Sequence, residues 1–237
     1  MQAAFEVRFQ SETDASVLLP GLFYANLGIT APAVRVGPEL PAEVLATFNE
    51  NFAYQPRIQL MWEGYTLLIA QKAVAILCPR PYPGWPAFRA SIVKIAEVVS
   101  GQAKQISSIE RVSMRYVDLL SSSETMQGVK RLRLKIELAD YDPVMRPYSL
   151  RIEREESGTV HVINIAAPAT VVTPPLPAQT GTIVDIDSSV AIPNTAPSVW
   201  QHALVESLDA LHAKNKRAFF DCLTPSGVAS LDPEYEN

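Results

Sequence analysis

Residues 109–120, Ile-Glu-Arg-Val-Ser-Met-Arg-Tyr-Val-Asp-Leu-Leu, mix apolar and charged side chains more densely than any other stretch of the chain. In an extended backbone, side chains alternate between two faces. Val112, Met114 and Tyr116 then share one face, with Glu110 and Asp118 at its ends, while Arg111, Ser113, Arg115 and Val117 take the other. Such a strand is half buried, or it walls a cleft with its charged face. An enclosed Arg115 needs a carboxylate, because an unpaired buried charge is very costly. A carboxylate such as Asp185 would satisfy it. If the pair is sealed, the charges are architectural; if both groups open into a water-filled cleft, a ligand site becomes the default.

The chain around this strand has clear β and α signals. Phe5, Val7 and Phe9 alternate with Glu6, Arg8 and Gln10 as a half-buried first strand. Pro20-Gly21 interrupts the apolar stretch 16–26, which predicts a broken helix or coil. Residues 33–36 are extended, and a helix is expected over 40–49 with Val44, Leu45 and Phe48 as its stripe. Residues 57–62 and 65–70 flank Glu63-Gly64, the signature of a tight hairpin, and residues 73–78 continue the meander. Pro79, Pro81 and Pro83 stop it. Pro86 opens a helix with Phe88, Ile92, Ile95 and Val99 on one stripe, and Gly101 ends it.

In the second half, strands are expected at 129–138, 148–155, 159–166 and 182–190, with a hairpin at Glu156-Ser157-Gly158. Pro168, Pro174, Pro175 and Pro177 make 167–181 a stiff loop or a stretched edge. A last helix begins at Ser198, with Gln201 completing a capping box, and runs through Trp200, Leu204, Leu208, Leu211 and Phe219 until Thr224-Pro225 stops it. The expected fold class is therefore α+β: mostly antiparallel strand meanders packed by two long amphipathic helices. The chain is expected to form one domain over 1–237, with two halves, 1–122 and 129–237, related as a pseudo-repeat as the alternative division.

The 237 residues are 48% hydrophobic, enough for a sizeable core. A net charge of -5 argues against affinity built on neutralising many phosphates. Cys78 and Cys222 lack metal-ligand spacing and are expected to be reduced core thiols. Glu6 and Arg8 interrupt the opening apolar positions, and the run 65–78 is too short to span a bilayer. A soluble, cytoplasmic protein without a membrane association is expected.

The candidate chemistry is sparse. Asp185 and Asp187, one residue apart on a strand, point to one face and could hold a divalent cation if other ligands converged there; Asp118, Asp140 and Asp142 are the carboxylates to watch. Any solvent-facing strand gives the same pattern. His161, His202 and His212 are the only histidines, and ten helical residues separate the last two by about 80° and nearly three turns, so they cannot share a zinc. His212, beside Asp209, is expected to be exposed or packed on its helix. Cys222 at a helix C-terminus sits where the dipole opposes a thiolate. Phosphate and dinucleotide loops are missing, and no cofactor is expected.

Two ligand surfaces remain. Arg131, Arg133 and Lys135 share a face opposite Leu132, Leu134 and Ile136, a row of cations that could bind nucleic acid or nucleotide, or form a cross-strand ladder with Glu137, Glu153 and Glu155. Tyr82 and Trp85, on the proline-stiffened loop, either recognise a partner or plug the end of the core. With Arg111 and Arg115, these are the candidate binding residues.

Four stretches taken together carry a family resemblance: Leu18-Leu19-Pro20-Gly21-Leu22-Phe23-Tyr24, Pro81-Tyr82-Pro83-Gly84-Trp85, Glu110-Arg111 with Arg115-Tyr116, and Leu211-His212 leading to Phe219-Phe220. Over nearly its whole length the chain resembles a sporadically distributed bacterial family of uncharacterised proteins of about this size. The resemblance implies an accessory gene, including the defence-related kind, and brings no catalytic residue or cofactor. The expected function is a non-catalytic binding or interaction component with a protein partner or a homo-oligomer. The alternatives are a metal-dependent phosphodiesterase or nuclease using Asp185 and Asp187, helped by Arg111 or Arg115, and a nucleic-acid or nucleotide-binding protein.

Overall fold

Phe5, Val7 and Phe9 are buried and their neighbours are not, as the alternation requires, and they lie on strand β1 (Gln2–Ser11). The computed structural model describes residues 2–37, 50–102, 104–121, 127–137, 147–172 and 177–231. The remaining elements are α1 (Ala15–Leu27), β2 (Val34–Arg35), a 3-10 turn (Glu50–Tyr54), β3 (Ile58–Trp62), β4 (Tyr65–Ile69), β5 (Ala73–Leu77), α2 (Trp85–Ser100) and β6 (Ile106–Ser121). They are followed by α3 (Gln127–Lys130), β7 (Tyr148–Glu156), β8 (Thr159–Val171), β9 (Gln179–Thr195), α4 (Pro197–Asp221) and α5 (Pro225–Ala229). Hydrogen bonding orders the strands β2-β3-β4-β5-β1-β6-β9-β8-β7 in one antiparallel sheet. The helix expected over 40–49 lies outside the described residues.

Contacts divide the chain into two units, one of Gln2–Met114 with Ser189–Leu211, the other of Arg115–Ser188 with His212–Asn237. Each unit is built from two separated stretches of the sequence, and neither coincides with the halves 1–122 and 129–237. Among the described residues three long helices, of 13, 16 and 25 residues, stand where two were expected.

In the first unit, the β3–β4 hairpin turns at Glu63 and Gly64, with φ of 47° and 84°, and closes on the pair Trp62 and Tyr65. Two successive positive φ values define the turn whose twist matches the flanking strands. Phe88, Ile92, Ile95 and Val99 are buried along α2, as their spacing predicts. Helix α1 corrects the expectation of a broken segment: it runs unbroken through Pro20, from the Asp14 side-chain cap to the left-handed Gly28. An interior proline costs about 3 kcal/mol. Leu19 and Phe23 are both wholly buried, which contributes about 1.5–3 kcal/mol each and outweighs that cost.

In the second unit, β7 and β8 pair from Tyr148↔Ala167 to Glu156↔Thr159 around a two-residue turn, with φ of 50° at Ser157 and 72° at Gly158. β8 continues to Val171 and β9 begins at Gln179, so strand replaces much of the loop expected over 167–181. Pro168 lies within β8 one residue beyond its last pair with β7, Tyr148↔Ala167. The core of this unit is Leu120, Leu132, Ile163, Ile165, Val184, Ile186, Ala218 and Leu223. Gly181 on β9 lies against the backbone of β6, and a Cβ there would overlap the Leu120 carbonyl oxygen.

The strand expected at 129–138 is a second correction. Residues 127–130 form the single turn α3, Leu132 makes one isolated bridge to Leu223, and residues 133–137 join no ladder. The alternation survives, with Leu132 buried and Arg133 and Lys135 exposed, but the segment's backbone is satisfied elsewhere. The Arg133 N–H donates to the Cys222 carbonyl at 2.7 Å, and the Thr224 N–H donates to the Arg131 carbonyl at 2.7 Å. The Thr224 side chain also caps α5. At its other end, α4 begins at Pro197 and the Trp200 N–H bonds the Ala196 carbonyl, so Ser198 lies inside the first turn rather than at the cap.

Candidate functional site

Burial along β6 falls on Ile109 and then on Val112, Met114 and Tyr116. Ile106, Ser113 and Leu120 are buried as well, so burial does not follow a strict alternation along the whole strand. Arg115 is exposed between buried Met114 and Tyr116 and projects from the face opposite them. Its guanidinium grips the Asp185 carboxylate as a fork, Nε to Oδ1 and Nη2 to Oδ2, both at 2.7 Å. Asn164 on β8 adds its Nδ2 to Asp185 Oδ2 at 3.3 Å. Asp185 is 7% exposed, whereas the Arg115 side chain is 54% exposed. The carboxylate is thus buried and satisfied, and it anchors an arginine that still faces water. The hydrogen bond to Asp185 raises the Arg115 pKa; partial burial opposes it, and the charges of Asp185 and Asp187 add to it.

Arg151 on β7 reaches the Asn164 side-chain oxygen at 3.4 Å, so Arg115, Asp185, Asn164 and Arg151 lie on one face of the sheet in the second unit. Alternation puts Asp187, Glu153 and Glu155 there too, with Val117, Leu119, Val162 and Ile183 partly exposed between them. Four carboxylates meet two guanidinium groups, and the face is acidic. Asp118 does not arrive at it. It belongs to the opposite face of β6, where burial pushes its carboxyl up to about 6. Asp140 and Asp142 lie outside the described residues. Among the described residues no three His, Cys, Asp or Glu side chains are grouped to hold a metal ion.

The other candidates are dispersed. Arg111 belongs to the first unit, and its Nε is buried without a hydrogen-bond partner among the described residues. Tyr82 and Trp85 pack edge-on against Phe88, with centroids 6.2 and 6.3 Å away, and Trp85 Nε1 donates to Asp209 at 2.7 Å. Arg89 holds the second oxygen of Asp209 at 2.5 Å. The Tyr82 and Trp85 rings both remain partly exposed. Arg131 donates to the Ser121 carbonyl at 3.1 Å, Arg133 is exposed, and Lys135 pairs with Glu137 at 2.6 Å. Cys78 and Cys222 are free thiols, the first pushed up to about 12 by burial and the second raised by burial and by Asp221. The first unit also holds a cavity of about 380 Å³ lined by Asn26, Leu27, Trp62, Glu63, Lys94, Glu97 and Val98.

One polar cluster was not anticipated. His161, Ser188 and Asn215 are each at most 2% exposed. His161 Nδ1 lies 2.8 Å from Ser188 Oγ, while Asn215 Nδ2 donates to Ser188 Oγ at 2.8 Å and to the Ile186 carbonyl at 3.1 Å. Burial lowers the His161 pKa; the Glu156 charge opposes this, and those of Arg154 and Lys214 reinforce it. The residue types match a nucleophile with its base, but sealed at this depth the three act as a structural bolt between β8, β9 and α4. A signal existed: His161 shares the buried face of β8 with Ile163 and Ile165, and a polar residue in an apolar register needs a partner. His212 packs against Tyr116, centroids 5.9 Å apart.

No family model matches the sequence, and no curated protein matches it significantly. No helix among the described residues is long and apolar enough to cross a membrane.

Proposed function

We propose that this chain is a non-catalytic binding protein, a cytoplasmic interaction component of the kind of bacterial accessory system to which its family resemblance points. One observation carries the proposal: Arg115 is held rigid by a buried carboxylate yet remains half exposed, on an acidic face with aliphatic side chains around it. An arginine whose fork is already ordered loses little further entropy when a partner covers it, and such arginines are enriched among residues that dominate interfaces. The surplus of carboxylates favours a protein partner with a basic surface and works against nucleic acid. Hydrolysis at Asp185 and Asp187 has less support, because the Asp185 oxygens already accept three donors.

The test is co-purification of the tagged chain from its host, native and Arg115→Glu in parallel, followed by size-exclusion chromatography with light scattering. A stoichiometric partner, released by salt and lost from the variant, is the expected result. A native chain that binds no protein, together with Mg²⁺ or Mn²⁺ heats that vanish in Asp187→Asn, would replace binding with metal chemistry.

A further inference from the structure

Strand β7 closes the sheet order among the described strands, and it is exposed on both faces: Arg151, Ile152, Glu153, Arg154 and Glu155 all lie open to solvent. Ile152, 42% exposed, is the midpoint of Tyr148–Glu156. The strand is nearly balanced about that midpoint, with Arg151 on one side and Glu153 on the other. We infer that two copies of this chain pair antiparallel through β7, in the register centred on Ile152. The inference rests on the proposed interaction function and names a second copy as one partner.

The register follows from symmetry and charge. A two-fold axis perpendicular to the sheet keeps each side chain on its own face, so directly opposed residues must have the same parity and the axis must pass through a residue. Centring on Arg151 or Arg154 sets arginine on arginine, and centring on Glu153 or Glu155 sets glutamate on glutamate. Centring on Ile152 sets Ile152 on Ile152, Arg151 on Glu153 twice, Leu150 on Arg154 and Tyr148 on Glu156. No like charges are opposed, and all nine residues of the strand are paired. Opposite-charge and β-branched cross-strand pairs are the stabilising kind, whereas like charges directly opposite are destabilising. Charges on an outer strand ordinarily guard it against pairing. Here their order opposes like charges in the registers centred on Arg151, Glu153, Arg154 or Glu155, and the register centred on Leu150, which opposes none, pairs only residues 148–152 of the strand. The Arg154–Glu156 ion pair, at 2.6 Å within the strand, lies on the other face and leaves Arg151 and Glu153 to meet the copy.

Position-specific crosslinking and charge reversal test this in the full-length chain. Ile152→Cys brings the new thiol against its own copy, at a cross-strand Cα separation of about 4.5–5.5 Å, within disulfide reach. Mild oxidation should then yield a covalent species of twice 26.0 kDa, while Arg154→Cys, which faces Leu150, should yield little. Without crosslinking, Arg151→Glu should weaken dimerisation about tenfold, as should Glu153→Arg, since each opposes like charges twice. The double reversal Arg151→Glu/Glu153→Arg should restore it, and that recovery also shows that the single variants are folded. A native chain that stays monomeric at every concentration overturns the inference, as does equal crosslinking at both positions or a double reversal that fails to recover. If the monomer still captures a partner that Arg115→Glu loses, the interaction function stands without the β7 dimer; if neither is seen, both fall.

Discussion

Asp118→Asn should stabilise the protein at neutral pH, and the gain should appear only as the pH rises through the acid range. Burial on the inner face of β6 raises the Asp118 carboxyl from 3.8 to about 6. Below the unfolded value the group is protonated in both states and contributes no difference. Between the two values the unfolded chain gives up the proton and the folded chain keeps it, so stability falls as pH rises through this window. About two pKa units at 1.36 kcal/mol each give a loss of about 3 kcal/mol by pH 7. Asparagine has nearly the same shape and never ionises. Urea unfolding followed by tryptophan fluorescence, on native and variant chains at half-unit steps from pH 3.5 to 7.5, isolates the effect, because every other titration cancels in the difference. The difference should grow from a small constant at pH 3.5 to about 3 kcal/mol in favour of the variant and level off above pH 6.5. A difference that stays flat, or that favours the aspartate at pH 7, would refute the assignment of a carboxylate whose ionised form is penalised by burial.

Arg115→Leu should cost about 2 kcal/mol in the same assay, because it strands the buried Asp185 carboxylate with Asn164 alone; Arg115→Leu/Asp185→Leu should recover most of that, and a double variant no better than the single would show that the pair is not the cause. Gly181→Ala should destabilise by about 3 kcal/mol or prevent folding, since its Cβ meets the backbone of β6, while Gly158→Ala, with open space around it, should lose only the about 1 kcal/mol of its left-handed turn. His161, held neutral in the core with a lowered pKa, makes stability fall as pH drops below the ordinary histidine value, because the unfolded chain takes up the proton first. His161→Gln should flatten that acid-side slope, and an unchanged slope would assign it to other groups.

The parts of this fold that could be read from the sequence are those decided by neighbours along the chain. Glu63-Gly64 between two apolar alternations specifies its hairpin through backbone φ alone, and the Phe88–Val99 stripe specifies which side of α2 faces inward. That Arg115 needs an acceptor was legible for a different reason, while which carboxylate supplies it was not. An arginine on a half-buried strand must find an acceptor, and that requirement holds whatever the topology. Residues 131–137 show the limit: their alternation is real and their side chains do point alternately in and out, but a strand is defined by a partner, and the backbone partners here are Cys222 and Thr224. Pro20 shows the same limit from the other side, since its local cost is outweighed by the burial of Leu19 and Phe23 against residues distant in sequence.

Asp118 and Asp185 show why the candidate site was only half visible. Both are aspartates on interior strands of the second unit, and composition or spacing treats them alike. Parity on β6 separates them. Arg115 and Asp118 are three residues apart and therefore on opposite faces, so Arg115 is committed to whatever the outer face of β9 presents, and Asp118 to the opposite, partly buried side. One carboxylate is then satisfied by a fork and an amide, and the other is left with its pKa raised.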